Sequence, residues 1–154
     1  MRINLTNRKD KNSLAAIIEQ LIESDYPLIK DSREYSFDWS LERYNDVYKI
    51  YLTSNEDDIL GLISLCDYPE ETRIHINLLE LSRENTGQTK KIENVSGSLI
   101  AFAVKIAFKK GYDGMVTLEP KNNKLTTHYR DNYGFEDVVY MTVSYTHLTL
   151  PTKA

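Results

Sequence analysis

The chain has 154 residues, 27% charged and 41% hydrophobic, with six Gly and four Pro. That is ordinary globular composition, and it fits one domain able to bury roughly 70% of the surface its unfolded form exposes. A formal charge of −4 argues against nucleic acid as a partner, because non-specific binding needs a net basic face to release counterions, so any basic patch must be local.

The single cysteine, Cys66, excludes an intramolecular disulfide and a multi-cysteine metal site. It reads as a small buried hydrophobe in a reducing compartment. The segment MRINLTNRKDKN has no apolar core of a signal peptide, and the longest apolar run, Leu99 to Val104, is far short of a membrane span. The expectation is a cytoplasmic protein with no membrane partner.

Asn12-Ser13 precedes Leu14, Ile17, Ile18, Leu21 and Ile22, which fall at helical spacing and predict an amphipathic first helix ending near Asp25-Tyr26-Pro27. Tyr35 to Trp39 leads into Val47 to Thr53, which alternates as a strand. Asn55 to Asp58 reads as a turn, and Ile59 to Leu65, with Gly61 inside it, as the second strand of a hairpin. Arg73 to Ser82 supplies a third antiparallel strand. In it His75 alternates with Ile74 and Ile76, the pattern of a surface or internally satisfied histidine.

Leu78 to Gly111 then runs as strand, polar basic loop and long amphipathic helix. The helix opens with Asn94, Val95, Ser96, Gly97 and Ser98, small or capping residues that leave its first N–H groups open where the helix dipole favours an anion. Lys90 and Lys91 stand just before it. With the following strand, Gly114 to Leu118, this is a βαβ unit whose strands run parallel through a right-handed crossover, and in such units ligands sit beyond the carboxyl ends of the strands. The order builds a site for a phosphate-bearing ligand. Phe102 and Phe108 read as core.

Pro120 to Asn123 is a turn and cap, Lys124 to Tyr133 a short helix stopped by Gly134, and Phe135 to Met141 the last strand. Val143 to Thr152, VSYTHLTLPT, resembles the translation of a transposon-end sequencing adapter. The expected organisation is therefore a single domain over residues 1–142 with a non-native tail over 143–154. Tyr145 and His147 accordingly receive no functional weight.

Several short patterns occur in a fixed order: Gly61 to Leu65 (GLISL), Glu80 with Asn85 and Gly87, Lys90-Lys91, Val95 to Ala103, Lys110 to Gly114, and His128-Tyr129 with Gly134. In these the stretch from Val47 to Met141 resembles a GNAT-superfamily N-acetyltransferase, and more narrowly the small stand-alone bacterial GNAT proteins. The superfamily's coenzyme A signature, Q/R-x-x-G-x-G/A, falls on Lys91, Asn94 and Ser96 and departs at each. Lys91 keeps a cation, Ser96 is small and Gly97 can widen the turn, whereas Asn94 stands where glycine is usual and is expected to crowd the pyrophosphate.

The resemblance implies an α/β (α+β) class: a mixed, mostly antiparallel sheet of about six to seven strands, with a parallel strand-helix-strand cofactor unit and flanking helices. It implies acetyl-CoA as co-substrate and no metal. Backbone around Leu79 and Leu81 would polarise the thioester, a type of contact worth roughly 3 kcal/mol. Lys90, Lys91, Asn94, Val95, Ser96, Gly97 and Ser98 would meet the phosphates, and Asn123 would bond pantetheine or cap its helix. Glu80, among Leu78, Leu79 and Leu81, is the candidate base, since apolar surroundings raise a carboxyl pKa. Tyr129 is the candidate acid for the departing thiolate. The implied acceptor is a small-molecule or peptide primary amine, and the protein a monomer or homodimer. The alternative is a non-catalytic GNAT-like binding module with a degenerate coenzyme A loop.

Overall fold

The computed structural model describes residues 1–119, residues 131–132, and the backbone of two strands at 136–139 and 146–149. These fall into two compact units, Met1–Ser64 with Leu78–Ile100, and Leu65–Asn77 with Ala101–Ala154.

The first unit holds β1 (Arg2–Asn7), β2 (Ser13–Gln20), α1 (Asp25–Ser32), β3 (Asp46–Leu52), most of β4 (Asn55–Tyr68), the end of β5 (Arg73–Leu81), β6 (Ile92–Glu93) and the start of α2 (Val95–Lys109). Its strand order is β6-β1-β2-β3-β4-β5. β2 pairs antiparallel with β1 (Leu5 opposite Leu14) and with β3 (Ile18 opposite Ile50).

The first segment is therefore a strand, not the helix that its spacing suggests. Leu14, Ala16 and Ile18 alternate inward, and a strand on each side satisfies the backbone of β2. Asp25-Tyr26-Pro27 begins a helix rather than ending one. Pro27 is tolerated in the first turn, and the Asp25 carboxylate accepts the Ile22 N–H at 2.9 Å. The turn after β3 is Thr53-Ser54, and Asn55 to Asp58 already belong to β4. Ile29, Trp39, Val47 and Leu62 form a core cluster, with Leu21, Tyr35, Ile59 and Leu78 packed against it. Each such buried side chain contributes about 1.5–3 kcal/mol of hydrophobic stabilisation.

The second unit holds the start of β5, the rest of α2, β7 (Val116–Leu118), β8 (Glu136–Val139) and β9 (Thr146–Thr149), in the order β5-β7-β9-β8. β5 and β7 are parallel, with Ile74 opposite Val116, as the βαβ reading requires. β9 pairs antiparallel with both β7 and β8, so backbone from the segment resembling an adapter occupies a place inside this sheet.

Arg73 is buried beneath Tyr68, its guanidinium carbon 4.2 Å from the ring centroid, and donates to Thr117 at 2.7 Å and Glu71 at 3.0 Å. His75 Nδ1 lies 3.2 Å from the same guanidinium and 2.8 Å from the Thr117 hydroxyl, making His75 an internally satisfied histidine. Phe102 is core, but Phe108 is 51% exposed, with its ring against Gly114, where a Cβ would come within 2.5 Å of it. Cys66 is half-buried rather than buried.

Candidate functional site

The loop between β5 and α2 is anchored at both ends within the first unit. At its start, Ser82 N–H donates to Leu60 C=O at 3.0 Å and Arg83 N–H to Glu34 C=O at 3.1 Å. Buried Asn85 donates to the Ser82 hydroxyl at 3.0 Å. At its end, β6 pairs with β1, placing Glu93 opposite Thr6, and Arg8 N–H donates to Lys91 C=O at 2.9 Å. The Arg8 guanidinium reaches the carbonyls of Gln88 at 2.6 Å and Lys90 at 3.4 Å.

Asn94 links this loop to α2 at φ 72°, in the left-handed region that glycine enters freely and that asparagine tolerates best among the other residues. The departure from glycine thus retains the backbone conformation that glycine would provide. Ser98 N–H donates to Asn94 C=O at 2.9 Å, and the N–H groups ahead of it lie at the positive end of the helix dipole. Val95 is buried, while Ser96, Gly97 and Ser98 are half-buried. Gly61 in β4 seats this helix start: a Cβ there would lie 3.2 Å from both Val95 and Leu99 and 3.0 Å from Leu81.

Glu80 lies on β5, between half-buried Leu79 and Leu81. Its Oε2 accepts the Ser36 N–H at 2.7 Å, and its Oε1 accepts the Phe37 N–H at 3.3 Å and the Trp39 indole N–H at 2.9 Å. The carboxylate therefore fixes the Ser36–Trp39 loop, a contact across about forty residues that no local pattern announces. Tyr35 adjoins it and donates its hydroxyl to Ile59 C=O at 2.8 Å. Burial, with Glu80 adding to it, raises the Tyr35 hydroxyl pKa well above its ordinary range.

Two cavities flank this loop. One of about 470 Å³ is lined by Tyr26, Lys30, Phe37, Trp39 and Arg43 among others. The other, about 370 Å³, is lined by Glu19, Asp25, Glu34, Glu56, Asp57 and Asp58, with Lys49 its one cation among the described residues. Lys49 is taken up by Asp25 at 3.0 Å and Glu19 at 3.8 Å. Burial and then Glu84 raise the Asp58 carboxyl above its ordinary value, with Lys91 opposing them. Asn7, Arg8, Lys9, Gln88, Lys90 and Lys91 line a third, open cleft of about 520 Å³. Among the described residues no group of His, Cys, Asp and Glu could hold a metal ion, and no helix is long and apolar enough to cross a membrane. Tyr129 and Asn123 lie outside the described residues, as does most of the helix expected over Lys124 to Tyr133.

No protein-family model and no curated protein matches the chain. Solved structures do. A GNAT-family acetyltransferase from Staphylococcus aureus Mu50 matches with a TM-score of 0.63 at 11% identity, over 90% of this chain and 99% of its own. AtaT complexed with acetyl-methionyl-tRNA matches at 0.60 and 19% identity, over 89% and 95%. N-acetylglutamate synthase from Neisseria gonorrhoeae, complexed with coenzyme A and N-acetylglutamate, matches at 0.62 and 13% identity, over 90% of this chain and 35% of the synthase. The fold is that of the GNAT acetyltransferases.

The GNAT fold accounts for the expected strand-loop-helix-strand unit, and its neighbours include AtaT solved with acetyl-CoA. The expectation that nucleic acid is no partner finds no support here, since AtaT itself is solved with a tRNA and, with AtaR, on DNA. Sequence reasoning missed β1, Arg8 and Lys9. The usable signal was two alternating apolar segments, Ile3 with Leu5 and Leu14 to Ile18, separated by the polar turn Asn7 to Asn12.

Proposed function

We propose that the chain transfers an acetyl group from acetyl-CoA to a primary amine. The observation that carries this reading is Asn94 at φ 72°, a left-handed link between the loop and the helix start on a GNAT fold despite the altered signature. A left-handed Asn94 speaks against judging the loop degenerate from residue identity alone.

In this reading the pyrophosphate meets the first turn of α2, from Val95 to Ser98, with Lys90 and Lys91 beside it. The acceptor amine loses its proton to a base, and its nitrogen attacks the thioester carbonyl. The tetrahedral oxyanion is held by backbone N–H near Leu79 and Leu81 and collapses by breaking the C–S bond. Glu80 is the base, acting through the acceptor position left on Oε2, since a carboxylate has about four and three are filled. Tyr129 returns a proton to the thiolate, and Asn123 bonds pantetheine.

The acceptor class is a cationic amine, drawn to the cavity of Glu34, Glu56, Asp57 and Asp58. Two structural neighbours are solved with N-acetylated amines, acetyl-methionyl-tRNA and N-acetylglutamate, which keeps an aminoacyl-tRNA among the acceptors to be screened. Calorimetric titration of acetyl-CoA, followed by thiol release across amines that include polyamines and aminoacyl-tRNA, tests the proposal. Micromolar binding with amine-dependent release supports it, and no binding at millimolar concentration overturns it.

A further inference from the structure

The open cleft at the β1–β2 turn carries four of the chain's 19 basic residues and is lined by no carboxylate among the described residues, although acidic residues outnumber basic ones in the chain, 23 to 19. Its parts come from opposite ends of the first unit's sequence. Asn7 ends β1, Arg8 and Lys9 belong to the turn after it, and Gln88, Lys90 and Lys91 to the loop before α2. The two segments are joined by the Arg8 guanidinium on the Gln88 and Lys90 carbonyls and by the β1–β6 pairing. Arg8 is thus the strut of the cleft, leaving Lys9 and Lys91, both exposed, and half-buried Lys90 to present ammonium groups to a ligand. Lys11 does not line it and instead pairs with Glu93 at 3.3 Å.

Such an acid-free cation cluster suits a phosphate monoester, which carries nearly two charges at neutral pH. Its position narrows the source. Lys91 is three residues from Asn94, so the cleft lies within about 11 Å of backbone from the start of α2. Coenzyme A carries two anionic groups one ribose apart, a pyrophosphate and a 3′-phosphate. We propose that the cleft receives the 3′-phosphate of coenzyme A, with Lys9 as a specificity-determining residue. The inference rests on the acetyl-CoA reading above and extends it to a turn that lies outside the segment resembling GNAT proteins.

The test is titration of the full chain with acetyl-CoA and with its 3′-dephospho form, repeated on Lys9→Gln and Lys91→Gln at two salt concentrations. The full chain is expected to bind the phosphorylated form about tenfold more tightly. Lys9→Gln should weaken that form alone, bringing the two affinities together, and higher salt should do the same. Both forms bound equally by the full chain overturns the cleft assignment and leaves the acetyl-CoA reading standing. So does equal weakening of both by Lys9→Gln. Neither form bound overturns the acetyl-CoA reading and this proposal with it. A short RNA whose binding depends on Lys9, without discrimination between the two nucleotides, would likewise overturn it in favour of a nucleic-acid surface.

Discussion

Trp39 gives its indole N–H to Glu80 at 2.9 Å, so the side chain proposed as base also holds one wall of the cavity between Tyr26 and Arg43. Glu80→Gln would present an amide nitrogen to at least one N–H that now meets a carboxylate oxygen. Loss of a charge-assisted bond costs about 1.5–3 kcal/mol, so thermal stability should fall together with kcat. Trp39→Phe separates the two roles: it removes one N–H donor, leaves the carboxylate, and is expected to cost about 1–3 kcal/mol in stability. If Glu80 is the base, Trp39→Phe retains most of kcat, while Glu80→Gln loses it. A Glu80→Gln enzyme that keeps kcat and loses only stability would reduce Glu80 to a positioning residue.

At Asn94 the backbone decides the outcome. The residue is exposed, so substitutions there change conformation with little change in packing. Asn94→Gly should leave stability nearly unchanged and hold or improve acetyl-CoA affinity. Asn94→Val places a β-branched side chain at φ 72° and should cost about 1–2 kcal/mol, with weaker cofactor binding. Chemical denaturation and calorimetry on the pair check both effects, and a Val variant equal to the Gly variant would refute the left-handed requirement.

The strand-loop-helix-strand unit was legible because its signals are local: alternation in β5, the small residues opening α2, and helical spacing through it. The N-terminal segment was not. Its apolar residues satisfy a helical period, and only β1 and β3 on either side make Ser13–Gln20 a strand. The same limit hid the site's supports. Arg8 meets Gln88 across 80 residues, and Glu80 meets Ser36 across 44, separations at which sequence pattern carries no information about contact. The signature departure at Asn94 was legible as a residue, but its left-handed φ of 72° was not.

Gly61 links the sheet to the cofactor loop. An alanine methyl there would press on the Leu81 side chain at 3.0 Å and on those of Val95 and Leu99, at the start of α2, at 3.2 Å, so these side chains must give by a few tenths of an ångström. Overpacking of this kind costs about 1–3 kcal/mol. Because Val95 and Leu99 belong to the element that carries the N–H groups assigned to the pyrophosphate, Gly61→Ala should weaken acetyl-CoA binding as well as lower Tm. Cofactor affinity unchanged in a destabilised variant would detach the helix start from the cofactor site.

Asp58 provides a pH test of the acidic cavity. Burial and Glu84 raise its carboxyl above 3.8, so at pH values between that figure and its raised value the folded chain binds more protons than the unfolded one. Stability from this group therefore grows as pH falls through the raised value, and at neutral pH the ionised form is a standing cost. Asp58→Asn should raise Tm at pH 7, and the gain should shrink as pH approaches 4. Acceptor binding should respond with the opposite sign. A cationic amine favours the ionised carboxylate, so KM should rise as pH falls toward the raised value, and Asp58→Asn should raise KM at pH 7 while leaving acetyl-CoA affinity unchanged. Thermal melts and amine-dependent KM measured across the same pH range check the two signs together. A variant with higher Tm at pH 7 and unaltered KM would leave Asp58 a half-buried carboxylate with no part in holding the acceptor.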